Sequence, residues 1–93
     1  MREKIIEHAL IRAVLKRGGL CPKFVSPGYD GMPDRIILMP GGRIAFAELK
    51  APGKKPRPLQ LYMHTQLRLL GFQVFVIDNP SQIQEVIHVL SSS

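Results

Sequence analysis

The chain has 93 residues and a mass of 10.4 kDa, so only about two-thirds of its surface can leave water on folding, and one small domain spanning residues 1–93 is expected. Hydrophobic residues make up 45 % and charged residues 22 %, which excludes collagen, coiled-coil rods and disordered tails and predicts a packed core. Thirteen Lys and Arg against seven Asp and Glu give a net charge of +6 and a pI near 10.0, the balance of a surface that meets phosphate.

The first four residues, Met1 to Lys4, include an acid and lead into a periodic stretch, unlike a secretory leader, so a cytoplasmic location is expected. From residue 3 to 17, Ile5, Ile6, Ala9, Leu10, Ala13 and Val14 recur at helical spacing, and Gly18-Gly19 supplies the stop. Glu7 falls at the border of that apolar stripe, where an acid can face a cleft. Cys21 has no second cysteine to pair with and is read as structural in a reducing compartment. Residues 23–26 are expected as a short strand, and 27–31, rich in Pro and Gly, as a loop. Within that loop the sequence leaves open whether Tyr29 stacks on a base or covers the core edge.

Residues 35–39, 40–42 and 43–50 read as strand, tight turn and strand, the clearest local pattern in the chain. Three prolines and a glycine between Ala51 and Pro58 interrupt any ladder and leave Lys54, Lys55 and Arg57 on an exposed basic loop. A second helix is expected from Pro58, with Leu59, Met63, Leu67 and Leu70 on its apolar face and Gly71 ending it. Residues 72–77 form a strand covered on both faces. They contain Val74 to Ile77, a run of four apolar residues that none in the chain exceeds and far short of the roughly 20 a membrane span requires. Asn79, Pro80 and Gln82 carry the pattern of a capped helix start, and that helix runs through Leu90, leaving serines 91–93 to fray. The expected fold class is α/β, in the order α-β-β-β-α-β with a C-terminal helix and a mixed central sheet.

A turn at residues 40–42 makes opposed hairpin residues sum to 82, which sets Asp34 across from Glu48. Such a like-charged pair is unfavourable unless a cation sits between its members, and Lys50, two residues on, shares the Glu48 face. Mg²⁺ or Mn²⁺ suits such carboxylates together with water and phosphate oxygens, and Lys50 can orient a nucleophile or steady a phosphoryl transition state. Phosphodiester hydrolysis is the implied chemistry.

Pro33-Asp34, thirteen intervening residues and Glu48-Leu49-Lys50 resemble the PD-(D/E)xK nuclease core. Gly31 to Arg35, Pro40 to Arg43, Glu48 to Gly53, and Gln60 resemble more closely the virus-type replication-repair (VRR) nuclease domain. The resemblance implies that Asp34 and Glu48 bind the metal with the Leu49 carbonyl and that Lys50 is the catalytic cation. It also implies that an acid on the first helix, Glu7 with Glu3 as rival, completes the metal set, and that Gln60 orients water or phosphate. Stand-alone members resemble dimeric, structure-selective DNA endonucleases from phages and prophages, including enzymes that cut four-way (Holliday) junctions. A two-fold homodimer is the simplest way for so small a chain to place symmetric nicks. Arg35, Lys54, Lys55 and Arg57 are the expected DNA contacts.

Each residue also has a bland reading. Asp34 alone resembles a turn aspartate, Glu48 and Lys50 a solvated strand edge, Glu7 and Gln60 ordinary helix-surface residues, and the basic loop a solubility device. Their joint placement favours the nuclease. His64, one turn beyond Gln60, is read as a surface histidine, as are His8 and His88. The rival functions are a non-catalytic DNA-binding module of the same fold and a nuclease directed at RNA.

Overall fold

In the computed structural model, which describes residues 2–91, Ile6, Leu10 and Val14 return to one face at helical spacing and are buried, defining helix α1 (Glu3–Lys16). A strand β1 (Arg35–Met39) turns at Gly41 and Gly42, both at positive φ, into β2 (Arg43–Leu49). Helix α2 (Pro58–Leu69) then crosses one face of the sheet and delivers β3 (Gln73–Ile77) parallel to β2. The three strands lie in the order β1-β2-β3, a mixed sheet as expected.

The hairpin register is the predicted one, with Arg35 opposite Ala47, Ile37 opposite Ala45 and Met39 opposite Arg43. Asn79 Oδ1 accepts from the Ser81 N–H, and Gln82 Oε1 accepts from the Asp78 and Asn79 N–H groups. These bonds start a 3₁₀ turn (Pro80–Gln82) that runs into helix α3 (Ile83–Ser91). Ser91 therefore closes α3, whereas Ser92 and Ser93 lie outside the described residues.

Two expectations need correction. The segment expected as a strand at 23–26 makes one isolated bridge, Lys23 to Arg35, and Leu20 just before it makes another, to Leu38. Its hydrogen bonds explain why. Leu20 and Leu38 exchange both N–H···O bonds, the Ile36 N–H reaches the Pro22 carbonyl, and the Phe24 N–H reaches the Asp34 carbonyl. Pro22 has no N–H to return, so the chain runs antiparallel beside β1 from 20 to 24 without completing a ladder. The second correction concerns α2, whose buried side chains are Gln60, His64 and Leu67, whereas Leu59 and Leu70 are exposed. The helix turns polar atoms inward because it covers the polar end of the sheet.

Alternation divides the sheet into two dissimilar faces. Ile37, Met39, Ala45, Ala47, Leu49 and Ile77 pack against α1 and α3 in the main core, joined by Cys21. On the other face Phe46, Val74 and Leu67 form a smaller cluster with Phe24, Met32 and Ile36. There the Phe46 ring meets Phe24 at 5.7 Å and Phe72 at 5.5 Å between centroids. Among the described residues no helix is long and apolar enough to cross a membrane.

Gly19 sits where α1 hands over to the segment beside β1. A Cβ there would collide with the Leu38 carbonyl and lie 2.8 Å from Met39 Sδ and 2.9 Å from Val14 Cγ1. Gly19→Ala is expected to lower stability by roughly 1–3 kcal/mol in urea denaturation. Gly28→Ala, with nothing within 4 Å of the added methyl, is expected to stay within about 0.5 kcal/mol of the parent.

Candidate active site

Beyond the last ladder pair the hairpin continues to set Asp34 against the Glu48–Leu49 end of β2, and the Leu49 N–H donates to Asp34 Oδ2 at 3.0 Å. Glu48 is only 1 % exposed. Its Oε2 accepts from Gln60 Nε2 at 2.9 Å and faces Lys50 Nζ at 3.4 Å. Gln60 is oriented from its other end, because its Oε1 accepts the Arg57 N–H at 2.8 Å and so leaves the amide NH₂ for Glu48. Strand alternation supplies Glu48 and Lys50, and the first turn of α2 supplies Gln60.

His64 lies one helical turn beyond Gln60 and is fully buried, with Nε2 3.7 Å from Glu48 Oε1. The expected surface histidine is therefore a member of the site. The signal was present, since residues four apart on a helix share a face and the family resemblance already assigned Gln60 to the site. His8 and His88 are exposed, as expected.

Glu7 and Arg35 meet on the opposite side of the sheet. Arg35 donates from Nε and Nη2 to Glu7 Oε2, both at 3.1 Å, and from Nη1 to the Cys21 carbonyl at 2.9 Å. Arg35, expected as a DNA contact, is thus tied into the α1 layer, because it opens β1 directly after Asp34 and points the other way. An open cleft of about 520 Å³ brings Glu7, Glu3, Lys23, Phe24 and Asp34 onto common walls. Among the described residues, however, no three His, Cys, Asp or Glu side chains converge closely enough to hold a metal ion. Lys54, Lys55 and Arg57 stand exposed on the loop that enters α2.

No protein-family model matches the chain. Over 79 residues it is 52 % identical to the protein named "Putative nuclease p44" of Acyrthosiphon pisum secondary endosymbiont phage 1, covering 85 % of each sequence. A solved structure described as "VRR_NUC domain" superimposes with a TM-score of 0.86 at 32 % identity, over 92 % of this chain and 94 % of that one. The chain belongs to the VRR nuclease family. Its α/β fold with a mixed three-stranded sheet is the family's fold, and the domain is of nuclease type.

Electrostatics in this VRR nuclease domain follow from burial. Burial raises the Glu48 carboxyl to about 7, the Asp34 charge adds to the shift, and Lys50 opposes it. Burial also lowers the His64 pKa, with help from Arg68 and Lys50, and Asp34 acts against them. The Cys21 thiol is pushed up to about 11, mainly by burial, which leaves it a poor nucleophile and consistent with a structural role.

Because the Glu48 carboxyl titrates higher in the folded chain, its contribution to stability is complete below about 4.5 and is lost as pH rises through about 7. In EDTA, raising the pH from about 5 to about 8 is expected to cost the wild type on the order of 2 kcal/mol relative to Glu48→Gln. Urea unfolding of both proteins at the two pH values measures that difference.

Proposed function

We propose that this VRR nuclease is a divalent-metal-dependent endonuclease that hydrolyses phosphodiester bonds in branched DNA, working as a two-fold homodimer on four-way junctions in the cytoplasm of a bacterial or phage-infected cell. The observation that carries the proposal is the cluster of Asp34, buried Glu48 and Lys50 at one end of the hairpin. Burying a carboxylate beside a second one is costly unless a cation joins them. Glu48 Oε1 has no hydrogen-bond partner, and the oxygen donors of Asp34, Glu48 and the Leu49 carbonyl match the hard-ligand preference of Mg²⁺ or Mn²⁺.

Asp34, Glu48 and the Leu49 carbonyl would hold the ion, and Glu7, sharing cleft walls with Asp34, would join them on release from Arg35. A bound divalent ion supplies a more acidic water and stabilises charge gathering on the scissile phosphate. The remaining steps fall to the chain's own groups. Lys50, partly exposed beside Glu48, orients the attacking water and offsets negative charge on the phosphate. Gln60 keeps the Glu48 carboxylate in place, and Lys54, Lys55 and Arg57 grip the phosphate backbone next to the scissile bond.

Labelled four-way junction, flap and linear duplex DNA, incubated with Mg²⁺ or Mn²⁺, test the proposal. Paired nicks on the junction are expected, abolished by EDTA and reduced roughly 100- to 1,000-fold in both Asp34→Ala and Lys50→Ala. Equal cutting of every substrate would remove the junction preference and keep the nuclease, whereas tight binding without cutting would leave a DNA-binding module. Competition with RNA of the same shape separates the two nucleic acids.

A further inference from the structure

The layer between α2 and the sheet holds an unfinished pair. Among the described residues, the buried side-chain polar atoms without a hydrogen bond are Glu48 Oε1 and both ring nitrogens of His64. Both side chains are at least 99 % buried, and Nε2 stands 3.7 Å from Oε1. An unmet buried polar atom is costly, so a shift of under about 1 Å that closes this gap satisfies two of the three together. With Glu48 ionised, as a cation ligand must be, its oxygens only accept, so Nε2 carries the proton and Nδ1 is bare.

We infer that His64 is a positioning residue, whose Nε2–H holds Glu48 Oε1 while Gln60 holds Oε2 from one helical turn away. The terminal carboxylate torsion is otherwise broad, and two donors on a single rigid helix fix its plane. Each carboxylate oxygen has two acceptor sites, so Gln60 and Lys50 fill those of Oε2 while the His64 bond leaves one site on Oε1 for a cation. The consequence for metal binding rests on the function proposed above, but the hydrogen bond does not.

The ring tautomer reports the bond without metal or substrate. In the metal-free wild type at about pH 8.5, above the Glu48 titration, nitrogen-15 NMR of the imidazole is expected to show His64 protonated at Nε2, with that proton exchanging about tenfold or more faster in Glu48→Ala. Calorimetric Mn²⁺ titration then separates position from packing. A His64→Leu substitution is expected to weaken binding roughly 10- to 100-fold, with His64→Gln near wild type and His64→Asn near His64→Leu, because a glutamine amide nitrogen overlays Nε2 and an asparagine one overlays Nδ1. A proton on Nδ1, or equal Mn²⁺ affinity in the Leu and Gln variants, overturns the inference. An Nε2 proton in a wild type that binds no Mn²⁺ upholds the hydrogen bond and overturns the metal-dependent function instead.

Discussion

The arrangement depends on placing Asp34 and Glu48 against each other at the end of one hairpin. Like charges in opposed positions destabilise a sheet, and burial of Glu48 raises that cost. The surrounding bonds all act on this problem. The Leu49 N–H takes one oxygen of Asp34, Gln60 and Lys50 converge on one oxygen of Glu48, and His64 stands beside the other. A carboxylate with a pKa near 7 sits where small changes in its surroundings decide its charge, a property common at sites that bind cations or transfer protons.

The asymmetry of the two sheet faces makes that tension tolerable. One face is sealed by α1 and α3 over a continuous apolar core that includes Ile6, Leu10, Ile37, Leu49 and Ile77, each at most 1 % exposed. Hydrophobic burial there supplies the stability a small chain needs. The opposite face is left to α2, which covers aromatic residues at one end and the ionic site at the other. Leu49 joins the two regimes, since its side chain lies in the core while its N–H anchors Asp34.

Much of this was legible in the sequence because it depends on short-range rules. Period-two alternation and a Pro-Gly-Gly turn determine the hairpin register, and that register, continued one residue beyond the Arg35–Ala47 pair, brings Asp34 to Glu48. The α3 cap was equally readable from Asn79, Pro80 and Gln82. Other features were hidden for identifiable reasons. Counting leucines put Leu59 and Leu70 of α2 inward, but a helix lying over a buried carboxylate turns its hydrogen-bonding side chains inward, and Gln60 and His64 occupy those positions. Pro22 broke a strand that hydrophobic pattern alone would complete. The pairing of Arg35 with Glu7 spans 28 residues and requires knowing which helix covers which face, which no local pattern contains.

The route from the basic loop to the carboxylate is short. Arg57 is the last residue before α2, its backbone N–H donates to Gln60 Oε1, and the same amide donates to Glu48 Oε2. Two hydrogen bonds therefore connect the backbone of an exposed basic loop to a buried acid. Pro58 at the first helical position fixes the backbone between them, so the loop cannot reorient freely without disturbing Gln60. Nucleic acid that orders Lys54, Lys55 and Arg57 would also tighten the Arg57–Gln60 contact and with it the carboxylate plane. Under the proposed function, binding and chemistry would thus be joined at the start of one helix. The first turn of α2 carries the Gln60 that orients Glu48 and follows directly on the basic loop.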